Sequence, residues 1–450
     1  MTQQMARAKL LGMACWIVQS ARFARTWGKW LRPGIGIKRW FALSATGLLA
    51  LSLAFALALI VIVSQTADLL ALGTAPLLLI SLGLGGFGSL TLYVGCVRLS
   101  QLILAPLLQG RRERFIDLMA DHVRQANGLR LVALGGGTGL PSVLRAFKGQ
   151  TSNITAVVTV ADDGGSTGIL REEFGVLAPG DLRQNLAALA DDESLITQLF
   201  QYRFTNGGLQ GHSFGNLFLT ALADITGSMD RAVIEASKVL AIRGRVLPAT
   251  VQDVQLGAEI RTAEHHLKRV IGESQIPKAG GAIERVFLLP ERVRAYPDSI
   301  RAILNAELIV IGPGSLFTSI LPTLLVDGIV QAVHASNALV IYVCNIATQK
   351  GETEGFSVAD HVLALERHIG RGVFDVILAN NVYPTQNAGE NTRYVAPIPP
   401  DHELRYRYDL IEVDLADPQR PWRHSPEKLQ RAIHNVLAER KLHAEAIQEV

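Results

Sequence analysis

The stretch Leu129-Arg130-Leu131-Val132-Ala133-Leu134-Gly135-Gly136-Gly137-Thr138-Gly139-Leu140-Pro141-Ser142-Val143-Leu144 decides the fold of this chain. Residues 129–134 form a short apolar run that reads as a buried strand, and apolar residues return at helical spacing over 140–147. A strand, a glycine turn and a helix in that order open a parallel α/β sheet. Glycines adopt positive φ and let a ligand approach the backbone closely. The free amides at the following helix start attract phosphate oxygens. Gly135, Gly136, Gly137, Thr138 and Gly139 are therefore candidate ligand-binding residues. The last glycine comes one residue earlier than in the dinucleotide fingerprint, and a bare glycine-rich turn can be no more than a turn.

Outward from this stretch the same alternation continues. Residues 154–160 are apolar and β-branched, a second strand that runs into Asp162, Asp163, Gly164, Gly165 and Ser166. An acid at this place in a dinucleotide fold holds a ribose hydroxyl. The paired carboxylates Asp162 and Asp163 are equally suited to a magnesium ion, with glycines and hydroxyls beside them for phosphate. An Asp-Gly turn is the plain alternative, but it needs fewer of these residues. Residues 181–201 read as one helix, with Asp181 as its cap and Gln184 completing a capping box. Arg183 in its first turn could grip a phosphate. Ser213 reads as the cap of a helix over 214–222. His212 before it is a candidate acid, base or donor, and Asn216 lies in the first turn.

A further strand at 308–311 leads into Gly312, Pro313, Gly314 and Ser315, which open a helix at 316–326. This repeats the strand–glycine–helix anion site. Strands at 339–343 and 373–379 follow, the first succeeded by Asn345 and Thr348. All these loops sit at carboxyl ends of strands, where open α/β sheets bind ligands. Near the end, Ser425, Pro426 and Glu427 supply a cap, a first-turn proline and an early acid for a surface helix.

The first third of the chain is different. Across 450 residues the apolar content is 49% and the mean hydropathy +0.25, too high for an ordinary soluble enzyme. The excess is concentrated in two charge-free stretches, 41–64 and 77–97, each long enough to cross a bilayer as a helix. Residues 1–40 carry Arg7, Lys9, Arg22, Arg25, Lys29, Arg32, Lys38 and Arg39 and no acid. Arg98, Arg111, Arg112 and Arg114 follow the second stretch, while the connection at 65–76 holds only Asp68 as a charge. Lys and Arg concentrate on the inner side. The expectation is an in–out–in hairpin in the cell membrane, with residues 98–450 cytoplasmic. A cleaved signal peptide is excluded by the long preceding region and the second span. Trp16, Trp27, Trp30 and Trp40 suit a headgroup interface, so the basic arm is not read as binding nucleic acid. Cys15, Cys96 and Cys344 show no metal or redox spacing. The expected organisation is a basic aromatic arm at 1–40, a transmembrane hairpin at 41–108, a linker helix at 109–128, a ligand-binding domain at 129–415 and a helical tail at 416–450.

Seven ordered motifs carry a family resemblance: GGGTGL at 135–140, VADDGGS at 160–166, PGDLR at 179–183, HSFGN at 212–216, VLPAT at 246–250, IGPGSLFTSILP at 311–322 and NIATQKGET at 345–353. Over about 129–414 the chain resembles the gluconeogenesis factor family, the YvcK-like proteins, which are relatives of the CofD 2-phospho-L-lactate transferases. The hairpin lies outside the resemblance. The resemblance implies a Rossmann-like open, mostly parallel sheet with helices on both faces. It implies binding of a UDP-sugar such as UDP-N-acetylglucosamine, and regulation of cell shape and envelope synthesis under gluconeogenic growth. Carried over, Gly135–Gly139, Asp162, Asp163, Arg183, His212, Ser213, Asn216 and Gly312–Ser315 would form the ligand site. Two positions depart from the family pattern: Ile169 stands for its arginine and Lys350 for its proline.

Two functional classes follow. One is a membrane-anchored ligand-sensing regulator. The other is a CofD-like transferase using a magnesium-bound diphosphate donor. The regulator is favoured because no nucleophile is evident beside Asp162 and Asp163, the tentative metal ligands. No cofactor beyond Mg2+ is expected. Expected partners are the nucleotide ligand, membrane lipid, proteins of envelope synthesis and a second copy of the chain.

Overall fold

The computed structural model describes residues 37–66, 75–104, 125–190, 194–383 and 393–448. The basic arm up to residue 36, the connection at 67–74 and the linker segment up to residue 124 lie outside the described residues. The chain divides into two compact units, Met1–Met119 and Ala120–Val450.

The first unit contains helices α1 (Ile37–Thr66) and α2 (Ala75–Leu104). Their segments Arg39–Ile62 and Pro76–Ser100 have hydropathies of 2.5 and 1.8 and are long and apolar enough to cross a membrane. The two helices pack closely where side chains vanish. A Cβ added at Gly88 would lie 2.9 Å from the Leu51 amide, and one at Gly47 would lie 2.6 Å from the Leu92 amide. Small residues at such contacts let helix backbones approach in lipid. Ser81 also donates to the Ala54 carbonyl across the pair at 3.3 Å. Trp40 near the start of α1 lies under the guanidinium of Arg98 near the end of α2, 5.7 Å from ring centroid to Cζ.

The second unit is built on strands β1 (Leu131–Gly135), β2 (Ile154–Val158), β3 (Arg245–Pro248), β7 (Leu308–Ile311), β8 (Leu339–Val343), β9 (Val376–Asn380) and β10 (Asp409–Val413). They form a seven-stranded sheet in the order β10-β9-β8-β7-β1-β2-β3, and every pairing is parallel. Strands β1, β2, β7 and β9 are buried along their whole length, as a parallel sheet covered on both faces requires. The expected strands at 129–134, 154–160, 308–311, 339–343 and 373–379 are all here, with small shifts at the ends.

Between β3 and β7 lies an antiparallel sheet that pattern reading did not separate. It holds β4 (Gln255–Arg261), β5 (Leu267–Ile271) and β6 (Ala282–Leu289) in the order β5-β4-β6. Its middle strand is largely buried, but β5 is mostly exposed, so its sequence, Leu-Lys-Arg-Val-Ile, lacks the apolar run of a core strand.

Helices fill the crossovers: α3 (Leu140–Phe147), α4 (Gly165–Phe174), α5 (Pro179–Leu189), α6 (Leu195–Gln201), α7 (Phe214–Thr226), α8 (Met229–Val239), α9 (Pro297–Leu304) and, near the carboxyl terminus, the long helix Pro426–Gln448. Two expectations are corrected. The single helix over 181–201 is two helices, with Ser194 capping the second. The first begins at Pro179, two residues before Asp181, so Asp181 is not its cap. Proline at the first helical position removes one orphan donor, and this frees Asp181 for another partner. The expected helix at 316–326 begins as a π-type turn, Leu316–Ile320, before a short α segment, Leu321–Leu324.

Candidate functional site

The chain runs from β1 outward to β2 and β3, then returns and runs from β7 outward to β10. Strand order therefore reverses between β1 and β7. Crevices at such a reversal, beyond the carboxyl ends of the strands, are where open α/β sheets take ligands. The register Leu134↔Ile311 places the two strand ends level. Both glycine loops thus emerge side by side at this crevice.

The loops touch backbone to backbone. A Cβ on Gly139 would lie 2.8 Å from Gly314 Cα, and one on Gly314 would lie 3.1 Å from the Gly136 carbonyl. Gly137 adopts φ +63° and Gly312 φ +75°, conformations that favour glycine. Gly312 donates to the Leu134 carbonyl at 2.9 Å. Gly135–Gly136 and Gly312–Ser315 are buried, whereas Thr138 is exposed.

Two of the loop amides, those of Gly137 and Gly314, already have side-chain partners. Gly137 N–H donates to Asp181 Oδ2 at 2.9 Å. Gly314 N–H donates to Asn345 Oδ1 at 3.1 Å, and Asn345 Nδ2 donates back to the Gly314 carbonyl at 2.7 Å. Ser315 caps the turn that follows, accepting from Thr318 N–H at 3.2 Å, and its own hydroxyl donates to Glu352. Thr318 Oγ1 donates to the same carboxylate at 3.3 Å.

Beyond β2, Asp162 Oδ1 accepts from Gly164 N–H at 2.9 Å, and Asp163 Oδ1 accepts from Ser274 N–H at 2.8 Å. Ser274 belongs to the loop that follows β5, so the antiparallel sheet delivers this loop to the crevice. A second network links the remaining candidates. Ser166 Oγ lies 2.9 Å from His212 Nδ1, Asn216 Nδ2 donates to Ser166 Oγ at 3.2 Å, and Arg183 Nε donates to Asn216 Oδ1 at 2.9 Å. Ser213 caps α7, accepting from Asn216 N–H at 3.3 Å. Thr348 stands apart from these contacts: its hydroxyl donates to the Arg393 carbonyl at 3.1 Å.

Pattern reading singled out two carboxylates here; the structure gathers five. Burial pushes the Asp181 carboxyl up to about 7, with repulsion from Asp162 adding to it and the Gly137 amide opposing it. Burial likewise pushes Glu273 up to about 8, reinforced by Asp162, Asp181, Asp163 and Glu352. Asp162 is raised by burial, against the Gly164 amide. Glu352 is raised by burial, against the Ser315 hydroxyl. The nearby guanidinium of Arg183 is itself lowered by burial and by Arg203. Arg171 is spoken for by the Asp162 and Val254 carbonyls and by Asp253. Like charges held together out of water favour protonation or a cation.

Sequence reasoning passed over three of these acids. Asp181 had a ready local reading as a cap. Glu352 lies inside the motif at 345–353 but was not singled out. Glu273 sits in a loop whose flanking strands carried no clear pattern. Ile169 is exposed, as is Lys350, while Arg171, two residues beyond Ile169, brings a guanidinium to the Asp162 backbone.

Residues 131–416 match the family profile "2-phospho-L-lactate transferase CofD". A protein of Nostoc sp. that bears a gluconeogenesis factor name is 46% identical over 430 residues, covering 90% of this chain and 92% of that one. The gluconeogenesis factor of Bacillus subtilis is 51% identical over 253 residues, covering 56% of this chain and 78% of its own. A crystal structure of a UPF0052-family protein from Bacillus halodurans aligns with a TM-score of 0.64 at 43% identity, covering 68% of this chain and 99% of that one. With the motifs, the sheet order and these relatives in agreement, the chain belongs to the gluconeogenesis factor family, within the wider CofD group.

Proposed function

We propose that this chain is a membrane-anchored regulator that binds a UDP-sugar, such as UDP-N-acetylglucosamine, and adjusts cell shape and envelope synthesis under gluconeogenic growth. The observation that carries the reading is the pair of glycine loops, Gly135–Gly139 and Gly312–Ser315, at the reversal between β1 and β7. The diphosphate would lie across the two loops, and Arg183, His212 and Asn216 would contact the nucleoside or sugar end.

A diphosphate entering a crevice of five acids would meet like charge unless they are protonated or neutralised by a cation. The donor set fits Mg2+, a hard ion that takes one or two carboxylates and fills its remaining sites with water and phosphate oxygens. Asp162 and Asp163 would hold it. Among the described residues no three His, Cys, Asp or Glu side chains form a ready ligand shell, so the ligand's own oxygens would complete the coordination. Asp162 and Asp163 would gain from such an ion positive charge that offsets both their repulsion and that of the diphosphate. The Ser274, Gly164 and Gly137 amides and the Ser315 hydroxyl would orient the acids.

Helices α1 and α2 would span the cell membrane with both termini cytoplasmic. The Trp40–Arg98 contact supports this, because it pairs an aromatic and a basic residue at one end of the hairpin, as at a headgroup interface. Membrane lipid, proteins of envelope synthesis and a second copy of the chain are the partners this reading expects.

The alternative is a CofD-like transferase. It draws on the Ser166–His212 contact, a hydroxyl held beside an imidazole and next to the acids, as nucleophile activation requires. His212, however, shows no third group that orients it among the described hydrogen bonds. Calorimetric titration of the full chain in detergent with UDP-N-acetylglucosamine and Mg2+ tests the preferred reading. Saturable binding with the ligand recovered intact supports it, and no heat with any UDP-sugar rejects it.

A further inference from the structure

The end of the sheet opposite the glycine loops carries a second concavity. A cleft of about 320 Å3 opens at the amino ends of β1, β2 and β3, between these strands and α9. Three arginines line it: Arg130 just before β1, Arg245 as the first residue of β3, and Arg301 on α9. Ser152, Asn153 and Thr155 add polar groups to an otherwise mixed lining, and Asp298 is the one carboxylate in it.

Topology sets the arginines at a useful spacing. Strands β1 and β3 flank β2, and each step across a sheet is about 4.8 Å. Arg245 is level with Thr155 and Val132, so Arg130 and Arg245 rise from backbones two strands across and two residues along from each other, about 12 Å apart, a gap that two guanidinium side chains can span around one tetrahedral anion. Arg245 has no carboxylate partner among the described residues; its guanidinium donates to Thr155 Oγ1 at 3.3 Å. Arg130 pairs with Glu307 at 3.3 Å and Arg301 with Asp298 at 2.9 Å, and the two arginine side chains are 59% and 73% exposed. Exposed pairs of this kind are worth about 0–1 kcal/mol. Arg130 Nε also donates to the Asn305 carbonyl at 2.8 Å, and a doubly charged phosphate offers the guanidinium forks bidentate contacts in place of such weak pairs.

We propose that this cleft is an anion site, separate from the glycine-loop crevice, that takes a phosphate-bearing ligand on Arg130, Arg245 and Arg301. Two sources share that chemistry: a soluble phosphate or diphosphate, and the headgroup of an anionic lipid. Strand β1 joins the two ends of the sheet, with about 16 Å of backbone between them. The cleft therefore makes no contact with the glycine loops, and it stands whether or not they bind a UDP-sugar.

The test is arginine-specific labelling of the full chain in lipid nanodiscs with phenylglyoxal, read residue by residue by mass spectrometry. In phosphatidylcholine discs, inorganic pyrophosphate is titrated. In a second arm, discs contain increasing phosphatidylglycerol and no pyrophosphate. Protection of Arg245 and Arg301 in the first arm identifies a soluble anion, and protection in the second identifies a lipid headgroup. Arg245→Gln should raise the pyrophosphate concentration or lipid fraction for half-protection of Arg301 at least tenfold. Arg301→Gln, a surface change on α9 that leaves the Arg245–Thr155 contact in place, should do the same for Arg245. Absence of protection in both arms, or half-protection unmoved by both variants, overturns the proposal.

Discussion

Asp181 Oδ2 accepts the Gly137 amide at 2.9 Å, across 44 residues of sequence. The first glycine loop is thereby clasped by a carboxylate from α5, and the same carboxylate is held out of water beside Asp162. This one contact links the shape of the loop to a protonation equilibrium.

The sign of that link is definite. The Asp181 carboxyl moves from an ordinary 3.8 to about 7 on folding. Between those values the native state keeps a proton that the unfolded chain has lost, so stability falls as pH rises through this window and levels off above it. Glu273, moved to about 8, acts in the same direction. Asp181→Asn keeps an acceptor for Gly137 and removes the charge. Its melting temperature should exceed that of the unaltered chain at pH 8, and the difference should shrink steadily toward pH 4. A difference independent of pH would refute the assignment.

Cation binding opposes the same repulsion. Mg2+ should raise the melting temperature more at pH 8 than at pH 5, because Asp181 and Glu273 ionise as pH rises through about 7 and 8 and add to the repulsion that the ion relieves. Asp162→Asn with Asp163→Asn should abolish this increment. Thermal unfolding with and without Mg2+ at the two pH values reads it directly, and an equal increment in the double variant would exclude both residues as ligands.

Gly137→Val confronts the loop itself. The residue has φ +63°, and a Cβ there would lie 2.9 Å from Ser319 Oγ. A β-branched side chain in this conformation costs about 1–3 kcal/mol, so the variant should melt earlier. Held below its melting point, it should bind a UDP-sugar more than tenfold weaker, a loss of about 1.4 kcal/mol or more. Unchanged affinity in calorimetry would remove the first loop from the ligand site.

Regulator and transferase differ in what becomes of the ligand. Mass spectrometry after long incubation with candidate acceptors, a deazaflavin among them, should return the UDP-sugar intact. Phospholactyl transfer that disappears in the Asp162→Asn, Asp163→Asn double variant would establish the transferase instead.

The hairpin makes a topological prediction. An alkaline phosphatase fused after Val450 should be inactive and a cytoplasmic reporter active there, since both helix flanks are basic. Phosphatase activity at that position would reverse the orientation.

Much of this was legible in the sequence because it depends on neighbours along the chain. Apolar runs such as 308–311 and 339–343 can only be buried strands when glycine turns and amphipathic helices follow them. A glycine loop between strand and helix is legible from the order of residues alone, whatever surrounds it. Two long charge-free stretches between basic flanks likewise need no tertiary context. Ser213 was readable as a cap because its partner, Asn216, is three residues away.

What only the tertiary structure decided depends on strand order, which no local pattern contains. The reversal between β1 and β7 brings Gly139 against Gly314. The pairing of β7 with β8 allows Asn345 to bracket Gly314 and Glu352 to accept from Ser315. Asp181 has a local reading as a cap, and Pro179 cancels it by starting the helix early. Glu273 reaches the crevice because an antiparallel excursion folds back over Asp163. The arginine cleft exists because β1 and β3 flank β2. In each case charge and hydrogen bonding act across space, between residues separated by tens of positions, so the chemistry of the site appears only when the sheet is assembled.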